Sequence, residues 1–428
     1  MSHLVVCGLN YNSSPLTIRE KFAIPESCVK HALRMLSEYP EIEESVLLST
    51  CNRTEVYAVV TDVEAGLKRL DEFFKHVRQI ADHESLKPNF RLLRDDVCLH
   101  LFRVASGLNS MVFGEAQIIS QIKKAHEAAS QTGNSGVILN RLFQLALETG
   151  KRVRMETSIG RRAMSISSVA VELAKKQINL NANFEVTVIG AGTMAQECIW
   201  HLQKVKQADP LIVANRSSER LGDLNKQYGE RVETDSNFSA VADRVARSRL
   251  VLVATSAPQY VLTYEELAAA LEKNGARRDL LIVDLSVPRN VDPRIATING
   301  VTLKHAEDLS YILSRNKEER QALSGEAETI VFEMFDKFQV WQNTRAVVPT
   351  IVKMRQRLES IRQLQLSKKT DAPCGIGEEE ISRIIVNQIL HGPTVGLKSK
   401  QNRRSQQKRA ELLEELFELN SRCDGRPA

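Results

Sequence analysis

A cysteine followed closely by charged side chains has the most specific chemistry in this sequence. An apolar run over residues 46–48 ends shortly before Cys51, and Arg53 and Glu55 come directly after it. A neighbouring guanidinium favours the thiolate over the thiol, and a thiolate attacks acyl carbons. The segment therefore predicts covalent acyl chemistry with Cys51 as the nucleophile. The alternative is that Cys51 is a small buried hydrophobic residue, as most free cysteines are.

A glycine-rich turn lies between a predicted strand over residues 184–189 and a predicted helix. Its residues are Gly190, Ala191, Gly192, Thr193, Met194 and Ala195. In a strand–turn–helix unit this pattern binds a dinucleotide, because the first glycine permits the turn and the second lets the pyrophosphate approach the backbone. The helix N-terminus then faces the phosphates. The alternative is a purely structural turn.

The end of the next predicted strand indicates which dinucleotide is bound. NAD enzymes usually place an acid there to bind the ribose 2′-hydroxyl, but this chain has Asn215, Arg216 and Ser217. A guanidinium and a hydroxyl suit a 2′-phosphate, so we expect NADPH as the cofactor. The alternative is that Arg216 only caps the strand. We also expect segments 255–257 and 284–289 to border the nicotinamide, although Asp284 is interpreted first as a carboxylate that caps its own loop.

The elements that must position these residues fall into three regions of a chain of 428 residues. Residues 1–158 mix three predicted strands with helical periodicity, which indicates an α+β domain. Residues 159–307 alternate short Val/Ile/Leu runs with helix-length segments, which predicts a Rossmann-like doubly wound domain with a parallel sheet. Residues 308–428 are predicted to be all-helical, with Pro349 in the first turn of a new helix, a loop over 371–377 and a last amphipathic helix over 410–419.

Composition excludes several classes of protein. The net charge of +5 is modest for the length, and the seven scattered cysteines contain no Cys-x-x-Cys pair. We therefore expect no disulfide framework and no metal site. Since no apolar run approaches the length of a membrane span and no leader is recognisable, we expect a cytoplasmic protein. The extended helical tail favours a homodimer over an intramolecular bundle.

Two motifs together resemble glutamyl-tRNA reductases. They are Ser-Thr-Cys-Asn-Arg-Thr-Glu over residues 49–55 and the segment from His100 to Ile118; segments 160–168, 190–195, 284–289 and 389–394 also match. The resemblance covers nearly the whole chain. It implies NADPH-dependent reduction of glutamyl-tRNA to glutamate-1-semialdehyde through a thioester, the first step of the C5 route to 5-aminolevulinate and tetrapyrroles. It also implies a V-shaped dimer in which a catalytic domain, an NADPH domain and a helical dimerisation domain are joined by a long spinal helix.

The resemblance also implies roles for particular side chains. His100 would polarise the carbonyl or protonate the leaving oxygen, although a histidine between two leucines is more often a packed helix residue. Arg53 would pair with the substrate carboxylate, although Glu55 offers it a simpler partner, and Glu115 would hold the α-ammonium group. The substrate pocket would be completed by Thr50, Ser110 and Gln121.

The chain departs from the usual family pattern at four positions. Tyr11 stands where a histidine is usual, Ser14 where alanine is usual, Asn109 where aspartate is usual, and Ala116 where proline is common. None of the four is the nucleophile. They put in question any role assigned to the N-terminal histidine and the local fit of the substrate.

Partners follow from the resemblance. We expect glutamyl-tRNA and the aminomutase that consumes the semialdehyde, with neither DNA nor a membrane; a plastid stroma is the alternative location if a transit peptide was removed. Candidate contacts to the tRNA backbone are Lys151, Arg152, Arg154, Arg161, Arg162 and the run from Lys398 to Arg409. Two rival functions stay open: a thiol-dependent NADP enzyme acting on a free acyl substrate, and a non-catalytic tRNA-binding homologue.

Overall fold

The structure is a computed structural model, and the residues it describes form two compact units. They are residues 2–77, 88–111, 113–115, 117–159, 165–178, 183–274, 279–313, 317–367, 378–399, 403–417 and 419. The first unit comprises residues 1–332 and the second comprises residues 333–428.

The first unit begins with an antiparallel sheet, which confirms the three strands predicted for the N-terminal region. Its strands are β1 (His3–Asn10), β2 (Ile42–Ser49), β3 (Arg53–Val60) and β4 (Phe90–Leu93), in the order β2-β3-β1-β4. The helices of this region are α1 (Leu16–Phe22), α2 (Val29–Ser37), α3 (Val63–His76), α4 (Asp95–Ala105), α5 (Gln117–Gln131) and α6 (Val137–Glu156). Because β3 is buried along its whole length, the hairpin that joins it to β2 is held by a rigid base.

A parallel sheet follows in the same unit and confirms the doubly wound fold. Its strands are β5 (Phe184–Ile189), β6 (Ala208–Ala214), β7 (Glu233–Asp235), β8 (Leu250–Val253), β9 (Leu280–Asp284) and β10 (Val301–His305). The strand order is β10-β9-β8-β5-β6-β7. This order is that of the dinucleotide-binding Rossmann fold, whose crevice opens where the order reverses, between β5 and β8.

Helices cover both faces of the parallel sheet. They are α7 (Ile166–Gln177), α8 (Thr193–Leu202), α9 (Ser218–Tyr228), α10 (Val241–Arg247), α11 (Tyr264–Asn274) and α12 (Ala306–Leu313). Val186 and Val188 of β5 pack into one apolar core, whereas Ile189 packs into the other. This burial on both sides explains why the strands are continuous apolar runs in the sequence.

The expected boundary at residues 307/308 falls inside α12. Ala306 and Leu309 of this helix are buried in the same core as Val186 and Val188. The helix therefore packs with the parallel sheet, and the second compact unit begins only at residue 333.

The remaining described chain is helical, as predicted. It forms α13 (Lys317–Ser367), which continues from the first unit into the second, then α14 (Glu378–Lys398) and α15 (Arg403–Leu416). The prediction that Pro349 begins a new helix is wrong, because Pro349 lies inside α13. A proline inside a helix costs about 3 kcal/mol, but the buried Val347 and Ile351 on either side share a core with Leu397, and this packing outweighs the local preference. The loop predicted over 371–377 lies outside the described residues.

The second unit exposes apolar side chains on each of its helices. The exposed residues include Val340, Val348 and Val352 of α13, Ile384 and Ile389 of α14, and Leu412 and Leu416 of α15. No helix among the described residues is both long and apolar enough to span a lipid bilayer.

Candidate active site

Cys51 lies at the tip of the tight hairpin between β2 and β3. The backbone N–H of Thr50 donates to the carbonyl of Arg53 at 2.8 Å and closes the turn. The Thr50 hydroxyl accepts hydrogen bonds from the backbone N–H groups of Asn52 and Arg53 at 3.1 and 3.2 Å. Thr50 thus shapes the turn that presents the cysteine.

The turn is also held from outside. Nη1 of Arg19 donates to the carbonyl of Cys51 at 2.7 Å, and the backbone N–H of Tyr11 donates to the carbonyl of Asn52 at 3.0 Å. The hydroxyl of Ser49 bonds both the N–H and the carbonyl of Ile24. Cys51 therefore has a fixed backbone, which is what a reacting group would need.

A cleft of about 750 Å³ brings the cysteine together with the dinucleotide turn. From the antiparallel-sheet region it is lined by Thr50, Cys51 and Gln121, among others. From the parallel-sheet region it is lined by Thr193, Glu197, Ser256, Val287 and Pro288. The two predicted motifs, distant in the sequence, thus face one cleft.

The glycine turn has the geometry that a dinucleotide requires. Gly190 has a φ of 121°, and a Cβ there would lie 2.2 Å from the carbonyl oxygen of Ala254, so only glycine fits. A Cβ on Gly192 would meet no atom within 4 Å, which leaves open space above the backbone. Helix α8 begins at Thr193 and directs its N-terminus toward this space, as phosphate binding requires.

The residues after β6 fit a 2′-phosphate. The guanidinium of Arg216 lies 4.7 Å from the ring centre of Phe238, which holds its plane. Ser217 caps α9 by accepting from the backbone N–H of Arg220, and Asn215 donates to the carbonyl of Ser217. The contact with Phe238 was not foreseen, since the two residues are far apart in the sequence. The described residues of this region therefore fit NADPH.

A buried carboxylate organises the side chains behind the hairpin. Glu55 accepts hydrogen bonds from Nη1 of Arg53 at 2.7 Å and from the Tyr57 hydroxyl at 2.6 Å, and it lies 3.2 Å from Nε2 of His100. Burial alone would raise the pKa of Glu55, but Arg53, His100 and Tyr57 together lower it to about 2. In the structure Arg53 is therefore paired with Glu55, the simpler of the two partners considered from the sequence.

Three of the expected pocket residues and the candidate catalytic histidine lie behind the cleft wall. Arg53, His100, Ser110 and Glu115 are all at most 9% exposed. Arg53 also donates to the carbonyl of Asn109, so the carboxylate of a substrate would have to compete with these internal partners. His100 is packed between the rings of Tyr57 and Phe90. This environment is the one expected of a histidine that serves as a packed helix residue.

The surroundings of Cys51 act on its ionisation in opposite directions. Burial and then Glu115 raise the pKa of the Cys51 thiol, Arg19 and Arg53 lower it, and the net result is a pKa of about 12. The charge of Arg53 is also matched by Glu55, at 2.7 Å. The expected lowering by a neighbouring guanidinium is therefore present, but burial outweighs it in the absence of substrate.

Glu115 has an unusual carboxyl group. Burial raises the pKa of Glu115 to about 7, with a further contribution from Glu197, against a lowering by Arg53. Glu197, which the sequence reasoning missed, accepts a hydrogen bond from Nε2 of Gln117 at 2.6 Å and lies in the cleft wall. A group with a pKa near 7 changes charge in the physiological range, which is common at functional sites.

Two of the departures from the usual pattern have side-chain roles. The Tyr11 hydroxyl donates to the carbonyl of Ser110 at 3.1 Å and so supports the loop that carries this serine. The hydroxyl of Ser14 accepts from Nδ2 of Asn89 at 2.7 Å. Asn109 accepts from Arg53 only through its backbone carbonyl, which aspartate would supply equally, so this contact does not explain the substitution. Ala116 lies outside the described residues.

The loop after β9 is held by Asp284. One carboxylate oxygen accepts from the N–H of Ser286 at 2.9 Å, and the other accepts from the N–H groups of Asn290 and Val291 at 2.8 and 2.9 Å. The preferred interpretation of Asp284 as a loop cap is therefore correct. Ser256, three residues after β8, lines the cleft together with Val287 and Pro288; that these segments border the nicotinamide stays a prediction.

The basic candidates are dispersed. Lys151 is exposed on α6, Arg152 pairs with Glu156 at 2.8 Å, and Arg409 donates to the carbonyl of Gly396 in the second unit. Arg161 and Arg162 lie outside the described residues. Lys30 and Lys124, which the sequence reasoning did not select, line the cleft.

The strand order, the open glycine turn and the thiol in the same cleft define a dinucleotide-dependent oxidoreductase. Sequence profiles of known families agree: residues 7–157 match the N-terminal domain of glutamyl-tRNA reductase, residues 172–312 match shikimate/quinate 5-dehydrogenase, and residues 326–419 match the dimerisation domain of glutamyl-tRNA reductase. The chain belongs to the glutamyl-tRNA reductase family. It is therefore an oxidoreductase of the first step of the C5 tetrapyrrole route, with NADPH as cofactor.

Full-length relatives show the same relationship. The chain is 40% identical over 428 residues to the glutamyl-tRNA reductase of Synechococcus sp. and 37% identical over 427 residues to that of Cyanothece sp., with 97% of each chain covered in both cases. Among solved structures, glutamyl-tRNA reductase from Methanopyrus kandleri is similar with a TM-score of 0.51 and 27% identity, covering 98% of this chain and 99% of that one.

Proposed function

We propose that this chain reduces the glutamyl group of glutamyl-tRNA to glutamate-1-semialdehyde, with Cys51 as the nucleophile. The observation that carries the proposal is the cleft that contains both Cys51 and Thr193, the first residue of the helix after the glycine turn. A thioester formed on Cys51 would lie in the same cleft as the N-terminus of the helix that follows the glycine turn. This placement suits a reaction that must exclude water.

The covalent step conserves atoms without a further reagent. The sulfur of Cys51 bonds to the glutamyl carbonyl carbon, the ester bond to the tRNA ribose breaks, and the thiol proton ends on the ribose oxygen. NADPH, when bound, supplies the hydride that reduces the thioester. The C–S bond then breaks, the aldehyde leaves, and Cys51 takes up a proton. Because burial raises the pKa of the free thiol, we expect Cys51 to lose its proton as the substrate binds.

The substrate-binding side chains are proposed in two sets. Thr50 and Gln121 line the cleft and can contact the glutamyl group directly. Ser110, Glu115 and Arg53 lie behind the hairpin, where Glu115 is suited to the α-ammonium group and Arg53 to the side-chain carboxylate after partial release from Glu55. For His100 we propose a positioning role through Glu55 in place of direct polarisation of the carbonyl.

The cofactor is proposed to lie along the carboxyl edge of the parallel sheet. Gly190, Ala191 and Gly192 would hold the pyrophosphate together with the N-terminus of α8, which is formed by Thr193, Met194 and Ala195. The 2′-phosphate would be bound by Asn215, Arg216 and Ser217, with Phe238 behind the guanidinium. The missing acid at this position supports NADPH over NADH.

The domain limits and partners are proposed as follows. A catalytic domain covers residues 1–158, a cofactor domain begins at 159 and includes α12, and a helical domain follows. The exposed apolar residues of the second unit support a homodimer formed through that domain. Lys30 and Lys124 in the cleft are suited to the phosphates of the tRNA acceptor end, with Lys151 as a more distant contact. We further propose a cytoplasmic location and transfer of the reactive aldehyde to its aminomutase.

The test is a single-turnover assay with glutamyl-tRNA labelled on glutamate. Without NADPH, the wild type should become labelled through a bond that hydroxylamine cleaves, and Cys51→Ser should form no such thioester. Cys198→Ser is the matched control, because Cys198 is a buried free cysteine packed in the core of the parallel sheet. Binding of tRNA without labelling or reduction would favour the non-catalytic homologue, and reduction of a free acyl substrate would favour the other thiol enzyme.

A further inference from the structure

Helix α1 carries two adjacent opposite charges that both reach the parallel-sheet region. Nη2 of Arg19 donates to the carboxylate of Glu307, at the start of α12. Glu20 accepts from Nε and Nη2 of Arg289 at 2.9 and 2.7 Å, in the loop after β9. A two-point contact between guanidinium and carboxylate fixes both distance and orientation. We call these two pairs the α1 latch.

The first pair of the α1 latch acts directly on the nucleophile turn. Arg19 is 2% exposed. Its Nε donates to the carbonyl of Ser14 at 3.2 Å, and its Nη1 donates to the carbonyl of Cys51 at 2.7 Å. One guanidinium thus connects the turn that carries the thiol with a carboxylate of the region that binds the cofactor. The packing of the parallel-sheet region against α1 and the position of Cys51 are therefore coupled through Arg19.

The second pair acts on the opposite wall of the cleft. Arg289 follows Val287 and Pro288, both of which line the cleft, and the loop that carries all three is pinned at its base by Asp284. Glu20 therefore holds the cofactor-side wall of the cleft. The two pairs of the α1 latch fix the thiol on one side and this wall on the other.

We propose that the α1 latch is a positioning device: it aligns the Cys51 thioester with the reducing end of the cofactor and excludes water, so that the thioester is reduced before it is hydrolysed. The proposal rests on the proposed function of Cys51. It assigns Arg19, Glu20, Arg289 and Glu307 as positioning residues that do not contact the reacting atoms. The feature that distinguishes this role from general stabilisation is the fate of the thioester, since formation of the thioester needs only the turn and the substrate.

The experiment follows the label of glutamyl-tRNA into semialdehyde and free glutamate in a single turnover. In Glu20→Gln and Arg289→Gln we expect thioester formation without NADPH to stay within about twofold of the wild type, as for loss of one partly exposed pair. The ratio of semialdehyde to glutamate should fall on the order of tenfold, because a small misplacement of reacting groups is costly. Glu307→Gln should show the same pattern.

Three controls separate positioning from other effects. The charge exchange Glu20→Arg with Arg289→Glu rebuilds the pair in reverse and should restore the ratio to within about threefold, the scatter expected for coupled neighbours. Glu265→Gln removes a two-point pair with Arg294 at a more exposed position inside the parallel-sheet region, keeps the pairing of Arg294 with Asp292, and should leave the ratio unchanged. The dissociation constant of NADPH, measured by fluorescence, should stay within about twofold in all latch variants, because a pair outside the nucleotide turn adds no binding energy.

The outcomes distinguish the two proposals. If the wild type forms no thioester, the nucleophile assignment fails and the latch proposal fails with it. If thioester formation and the product ratio fall equally, if the affinity for NADPH falls in parallel with the ratio, or if the exchanged pair restores nothing, the latch proposal alone is wrong.

Discussion

The buried carboxyl of Glu115 makes the stability of this protein depend on pH in a calculable way. Its pKa is about 7 in the folded protein, against an ordinary value of 4.5. Between these two values the native state holds a proton that the unfolded state has lost, so the native state is destabilised as the pH rises through this range. A difference of about 2.5 at 1.36 kcal/mol per pKa unit gives about 3 kcal/mol above pH 7. The substitution Glu115→Gln removes this penalty.

We therefore expect Glu115→Gln to be more stable than the wild type at pH 8 and no more stable at pH 4. At about 2 to 4 °C per kcal/mol for domains of this size, the melting temperature at pH 8 should rise by roughly 6 to 12 °C. Thermal unfolding followed by circular dichroism at both pH values is the measurement. Glu127→Gln, at an exposed position on α5, is the control and should change neither value.

The same variant tests whether the stability cost serves the reaction. If Glu115 binds the α-ammonium group, the more stable variant should have a higher KM for glutamyl-tRNA, which is the expected conflict between stability and function. The electrostatic argument is refuted if the variant and the wild type differ by the same melting temperature at pH 4 and pH 8, since a pH-independent difference would come from packing alone.

Three further predictions concern the cofactor site and the buried network. Arg216→Ala should raise the KM for NADPH by roughly 10- to 100-fold and leave that for NADH nearly unchanged, as measured by initial rates, because a charge-assisted contact is worth about 1.5–3 kcal/mol. Glu55→Gln should destabilise the protein by about 3–5 kcal/mol in thermal unfolding, because Arg53 is left buried without its counter-charge; an unchanged melting temperature would contradict this. Gly192→Ala should keep the melting temperature and weaken NADPH binding, whereas Gly190→Ala should lower the melting temperature, because its Cβ meets the Ala254 carbonyl.

The parallel sheet could be predicted because its strands are buried on both faces. Val186 to Ile189 form a continuous apolar run in the sequence, and the two cores that they contact require this. The glycine turn could be predicted because its two glycines have local reasons to be glycine. A φ of 121° at Gly190 disfavours any residue with a side chain, and the space above Gly192 must stay open for the cofactor. In both cases the determining interaction is local, so the sequence pattern carries it.

The details of the reacting centre could not be predicted, because they depend on contacts between distant segments. The sequence offered Glu55 as a possible partner of Arg53, but it could not decide between this pairing and a substrate carboxylate, and it gave no sign that Glu115 lies near the thiol. Pro349 was misplaced for a related reason: its local preference is real, but the packing of the helix on both sides of it prevails. Arg19 and Glu20 belong to the N-terminal motif of the family, but the sequence could not show their partners, because Glu307 and Arg289 lie far along the chain.

The raised pKa of the Cys51 thiol has a consequence for the durability of the protein. Peroxides and alkylating agents react with thiolates, and the first step toward sulfenic and sulfinic acids needs that form. Burial raises the pKa of the Cys51 thiol and so lowers its thiolate fraction, although the residue lies at a cleft that small oxidants can enter. The proposed nucleophile should therefore be oxidised more slowly, in the absence of substrate, than the exposed Cys28 of the same chain.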